Sequence, residues 1–263
     1  MGSMKNAGEI YQDIVEGGRE ELERASAGLA FSAFSAGLNI SFGAVALAVV
    51  GSMTGGVGLL AMAVYPVGFL IVILGQQELF TENTVTPVAA ALKDRSHIKN
   101  TLRLWMVLFV FNIVGAIAFA FALVYGGILG PAALDLLLEE VARKIEPGFW
   151  AVTVKGIFGG WLVALVAWLA TASRDTISQI FFIWLLVFLI PLTGLVHCIA
   201  GSSEVLIGVF AQEFSLLEFL GGFLVPATLG NAIGGIVLVT LVNYAQVAGS
   251  KGEARGLRSE GEQ

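Results

Sequence analysis

The chain carries no Asp, Glu, Lys or Arg between Ala25 and Gln77, Leu104 and Leu134, Gly156 and Ser173, Thr176 and Ser203, or Phe219 and Ser250. Crossing a bilayer takes ~20 mostly apolar residues, and the first of these runs is long enough for two crossings. Charged residues make up 13% of the 263, against about 25% in soluble domains. The expected fold is therefore an all-α membrane protein. The residues up to Arg24 are polar and amphipathic, with no apolar signal core, so no cleavable signal peptide is expected. The single cysteine, Cys198, falls inside an apolar run and implies no disulfide. A net charge of −6 offers nothing to nucleic acid.

The apolar pattern reads as six transmembrane helices: Phe31–Val50, Leu59–Leu92 with a break, Leu104–Tyr125, Gly156–Ala172, Gln179–Gln212 with a break, and Phe219–Ala245. An amphipathic helix is expected over Pro131–Lys144. The breaks are placed at Glu78-Leu79-Phe80-Thr81 and at His197-Cys198-Ile199-Ala200-Gly201. Hydrocarbon offers unpaired backbone groups no partner, so a break is tolerated only where it is buried in protein or lines a water-filled path. Each break precedes an Asn-x-x-Gly motif by a similar distance, Leu79 before Asn112 and His197 before Asn231. Three spans per half force the second half to be inverted, a 3+3 repeat with its site near the midplane. Eleven of the 14 Lys and Arg residues fall on the side of the N-terminus, which predicts both termini cytoplasmic. The organisation expected is a cytoplasmic amphipathic segment over 1–30, a six-helix channel domain over 31–246, and a disordered cytoplasmic tail over 247–263.

Several stretches then resemble one known family in order along the chain. Gly75-Gln76-Gln77-Glu78-Leu79-Phe80-Thr81 resembles the first broken loop of the formate/nitrite transporter family. Trp105 with Asn112-Ile113-Val114-Gly115 resembles its third span, and Lys155-Gly156-Ile157 with Trp161 and Trp168 its fourth. Val196-His197-Cys198-Ile199-Ala200 resembles its second broken loop. Pro226-Ala227-Thr228-Leu229-Gly230-Asn231-Ala232-Ile233-Gly234-Gly235 resembles its sixth-span signature. The resemblance implies an aquaporin-like protomer in a homopentamer, one pore per protomer, in a bacterial-type inner membrane. It implies passage of small monovalent anions such as formate, nitrite or hydrosulfide. It places Leu79, Phe80 and Thr81 at an inner constriction, Tyr65, Phe69 and Ile190 at an outer one, His197 between them, and Lys144 on a basic position of the outer vestibule. Val196, Gly160 and Gly201 stand where the family has an acid, an Asn and an Asn, marking a divergent branch.

His197 is the one histidine in a span, and ionisable groups within membranes are functional by default. Thr81 offers a hydroxyl to orient a substrate or to bond His197. Leu79 and Phe80 repel ions more than small neutral acids. Glu82 and Glu204 are expected in the first turns of the two second half-helices, equivalent under the repeat. There they either cap free N–H groups or remove the positive helix ends that would attract an anion. Lys144 is expected to gather anions. No metal cluster, P-loop or nucleophile–base pair is present, so neither an enzyme nor a cofactor is expected. The function expected is a channel or proton-coupled transporter for small weak-acid anions in the bilayer, with neutral-acid passage aided by the central His197, which can lend and recover a proton. The alternatives are an aquaporin-like channel for a neutral solute and a non-conducting sensor or scaffold.

Overall fold

The computed structural model describes residues 5–249, and all regular structure among them is helical. The tail expected from residue 247 falls outside the described residues except for 247–249, which continue the last helix instead of fraying. Helix α1 (Ala7–Glu23) opens on a reciprocal cap. Asn6 Oδ1 accepts from the Glu9 N–H, and Glu9 Oε2 accepts from the Asn6 N–H. Its apolar stripe of Ile10, Ile14, Val15 and Leu22 is buried, and α1 lies along α6 (Thr86–Lys93).

Among the described residues, four helices are long and apolar enough to cross a membrane: Ser26–Thr54, Arg95–Tyr125, Phe149–Ala172 and Glu218–Gly249. The first consists of α2 (Ser26–Ile40) and α3 (Phe42–Thr54), bent at Ser41, whose hydroxyl bonds back to the Gly37 carbonyl. The second contains α7 (Ile98–Tyr125), the third is α9 (Phe149–Ala172), and the fourth contains α12 (Val225–Ile233) between two π-helical stretches. Their outward sides carry Phe31, Met106, Phe121 and Trp150, all more than half exposed. Such a surface fits hydrocarbon and not water.

Two short apolar helical stretches end inside the fold. The pair α4 (Leu59–Val64) and α5 (Val67–Leu74) gives way to irregular chain up to a 3-10 turn at Glu82–Thr84, followed by α6. Helix α10 (Thr176–Leu192) stops at Pro191 and Gly194, which has φ +66°, and α11 (Cys198–Phe210) follows. An amphipathic α8 (Pro131–Ile145) connects α7 to α9.

The second break therefore lies at 193–197, a few residues before the stretch expected from sequence. Helix α11 begins at Cys198, inside the stretch expected to be broken, because His197 caps it. The His197 Nδ1 accepts from the Ala200 N–H at 3.1 Å, and Asn231 Oδ1 accepts from the Cys198 N–H at 2.8 Å.

Helix α2 packs on α7, and α9 on α12, at backbone contact. A Cβ on Gly37 would stand 2.1 Å from the Asn112 carbonyl oxygen, and one on Gly160 would stand 2.3 Å from that of Asn231. The helices thus leave no room at Gly160 for the asparagine that the resemblance leads one to expect there.

Candidate functional site

Two asparagines hold the two breaks with the same three bonds. Asn112 Oδ1 accepts from the Phe80 N–H at 2.9 Å, while its Nδ2 donates to the carbonyls of Ala33 at 2.8 Å and Glu78 at 2.9 Å. Asn231 Oδ1 accepts from the Cys198 N–H, while its Nδ2 donates to the carbonyls of Gly156 at 2.7 Å and Val196 at 3.1 Å. Both side chains are fully buried. Each satisfies chain that would otherwise leave a donor and two acceptors unpaired in an apolar interior. The correspondence matches Phe80 to Cys198, Leu79 to His197 and Glu78 to Val196.

That correspondence corrects one expectation. Glu82 lies three residues after Leu79, whereas Glu204 lies seven after His197, so the two carboxylates are not equivalent. Glu82 opens its 3-10 turn. Glu204 sits in the second turn of α11, too far from the helix start to cap it.

Two cavities flank the breaks. One, of about 300 Å³, is lined by Glu21 of α1 together with Ile73, Glu78, Glu82 and Asn83. The other, of about 290 Å³, is lined by Tyr65, Ile190, Lys144, Lys155 and Glu204. Tyr65, Phe69 and Ile73 recur at one-turn spacing along one helical face. The first touches the Glu204 cavity and the last the Glu78 cavity. Phe69, midway, meets the His197 ring edge-to-face with centroids 5.0 Å apart. Leu79, Phe80, Thr81 and His197 are all buried. Phe80 packs edge-to-face on Trp105 and Phe109. Of the sequence-expected constriction residues, Phe69 and Thr81 touch His197, Tyr65 and Ile190 line the second cavity, and Phe80 is turned onto Trp105 and Phe109.

The imidazole is tied at both nitrogens. Its Nδ1 accepts from the Ala200 N–H, so the neutral ring carries its proton on Nε2. Nε2 stands 2.6 Å from Thr81 Oγ1 and donates to it. The Thr81 hydroxyl proton is then free to point at a third group. The two breaks are bridged by this one contact, histidine from the second to threonine from the first.

The carboxylates have partners that short-range sequence reading does not supply. Glu204, 2% exposed, pairs with Lys144 and accepts from the Tyr65 hydroxyl at 3.2 Å. The charge of Lys144, expected to gather anions, is matched inside the cavity wall by Glu204. Glu78 pairs with Arg24 and accepts from Asn83 Nδ2 at 2.8 Å. Burial, and then the nearby Glu78 carboxylate, push Glu21 up to about 7. Glu21, Arg24, Glu78 and Lys155 were not among the sequence candidates. The signal available for Glu78 and Lys155 was their presence inside quoted motifs; for Glu21 and Arg24 there was none beyond amphipathicity.

A buried ion pair that loses one partner leaves an uncompensated charge. Glu204→Leu is expected to lower unfolding stability by about 3 kcal/mol, read as a drop in melting temperature in detergent. The double change Glu204→Leu with Lys144→Met should recover most of it. A single variant as stable as the parent would show that the pair carries no stability.

Comparison with known proteins places this geometry. A family model described as formate/nitrite transporter matches residues 8–245. The chain is 32% identical over 246 residues to the inner membrane protein YfdC of Escherichia coli strain K12, covering 90% of this chain and 78% of that protein. It is 33% identical over 234 residues to a probable formate transporter of Methanothermobacter thermautotrophicus, covering 80% and 85%. A solved pentameric formate channel with formate bound superposes with a TM-score of 0.71 at 23% identity, over 84% of this chain and 96% of that one.

Proposed function

The chain belongs to the formate/nitrite transporter family, and we propose that it carries formate, or a weak acid of similar size, across an inner membrane as a homopentamer with one pore per protomer. The observation that carries this reading is the pair of cavities on either side of the His197–Thr81 contact. The matched asparagine bonds support an inverted 3+3 repeat of six spans. The solved pentameric formate channel and the probable formate transporter supply the substrate class and the assembly. With the N-terminus cytoplasmic, the cavity touched by α1 is the inner vestibule and the Glu204 cavity the outer.

Magnitudes favour passage as the neutral acid. A bare carboxylate in an apolar layer costs up to tens of kcal/mol by Born estimates. Protonating an acid of pKa ~4.3 at pH ~7 costs roughly 3.7 kcal/mol. The substrate takes its proton from vestibule water. Thr81 then meets it at the barrier, with its hydroxyl oriented by the Nε2–H of His197. Taking a second proton on Nδ1 would break the Ala200 bond, so His197 works as a positioned donor and not as a carrier of charge. Hydrosulfide and nitrite also have neutral acid forms and fit the same scheme.

A second reading, a channel for a small neutral solute, is favoured by one observation. The inner vestibule holds Glu21, Glu78 and Glu82 against Arg24, a wall unfriendly to anions.

Flux in proteoliposomes across formate, nitrite, hydrosulfide, acetate, lactate and glycerol tests both. The expected result is fast flux of the smallest acids, rising as pH falls, with none of glycerol. Glycerol flux without acid flux would establish the second reading, and no flux of any solute would leave a sensor or scaffold.

A further inference from the structure

We propose that Lys155, and not Lys144, is the cation that recruits the anion to the outer cavity; the inference rests on the transport reading above. The cavity is lined by three cations and two acids: Arg143, Lys144 and Lys155 against Glu140 and Glu204. Arg143 is bound on both sides, to Glu140 at 2.5 Å and to Glu139 at 3.2 Å. Lys144 is paired with Glu204, whose second oxygen is taken by the Tyr65 hydroxyl. Lys155 has no ion pair or side-chain hydrogen bond among the described residues, and it is half-buried on the cavity wall. The one excess positive charge of the cavity therefore resides on its ammonium, with three N–H donors available to a small oxyanion.

The mounting is rigid. Lys155 projects from α9 beside Gly156, whose carbonyl is held by Asn231 and whose Cα face lies against α12. An uncompensated charge in a cleft with low-dielectric walls raises the local concentration of its counter-ion by about tenfold or more, and salt screens the effect. Pairing with Glu204 occupies the charge of Lys144 at the end of α8, and the unpaired charge of the cavity lies at the start of α9.

The test is initial uptake of labelled formate into right-side-out vesicles at low and high salt, with the melting-temperature shift caused by formate on the purified protein as a second readout. Lys155→Gln should raise the half-saturating concentration about tenfold at low salt, remove most of its salt dependence, and abolish the melting shift. Lys155→Arg should keep all three near those of the parent. Unchanged half-saturation and salt dependence in Lys155→Gln would overturn the proposal. So would a loss in Lys155→Arg as large as in Lys155→Gln, since that marks packing and not charge. A parent protein that shows the Lys155-dependent melting shift but no uptake would sink the transport reading while supporting recruitment. A parent that shows neither would sink both.

Discussion

Asn231→Leu is expected to unfold the second break and to lower stability by about 3–5 kcal/mol. The reason is arithmetic on three buried groups. Leucine has the branched four-atom skeleton of asparagine but leaves the Cys198 N–H and the carbonyls of Val196 and Gly156 without partners. Each buried polar group stranded in this way costs about 1–3 kcal/mol, less for a carbonyl than for an N–H. Asn112→Leu strands the same set at the first break and should behave alike. Melting temperature and oligomer profile in detergent provide the measurement. Loss below about 1 kcal/mol in both variants would mean that the loops are held by packing and that the asparagines are incidental.

His197→Phe is expected to cut weak-acid uptake about five- to 150-fold at every pH between 5 and 8 while the protein remains folded. Phenylalanine fits the stack against Phe69 but gives Thr81 no donor. One hydrogen bond withheld at the barrier is worth about 1–3 kcal/mol, and each 1.4 kcal/mol is tenfold. The change also removes the cap on α11, so a second variant separates the two roles. His197→Asn can still accept from the helix backbone but is too short to reach Thr81. Uptake by His197→Asn equal to that of the parent would show that the contact with Thr81 is unnecessary and that capping is the whole role.

Much of the architecture was legible before any coordinates, and the reasons are physical. Charge is expelled from hydrocarbon, so the gaps between charged residues mark the buried segments directly. The first break was placed well because Gly75 to Thr81 interrupts an apolar run with polar residues. The second was misplaced by a few residues. Its start depends on the His197 side chain and on Asn231, 33 positions away, and local propensity carries no trace of either. That slip produced the mistaken equivalence of Glu82 and Glu204. The partner of Lys144 is hidden for a similar reason, since Glu204 lies 60 residues on while Glu140 and Glu146 stand close in sequence. The absent asparagine at Gly201 was visible as a departure, but its cause was not: a Cβ there would stand 2.2 Å from the Phe223 ring.

The ladder of Tyr65, Phe69 and Ile73 also sets an electrical dimension. Eight residues of helix rise about 12 Å, so the dry layer between the two water-accessible cavities is less than half the ~30 Å of hydrocarbon around it. With the two cavities opening to opposite sides of the membrane, as proposed, the transmembrane voltage would drop almost wholly across those 12 Å, more than doubling the local field at the His197–Thr81 contact. A bare anion crossing that layer exchanges about 2.3 kcal/mol of work with every 100 mV. A neutral acid exchanges none, and its traffic answers to the concentrations on either side and not to the battery across the membrane.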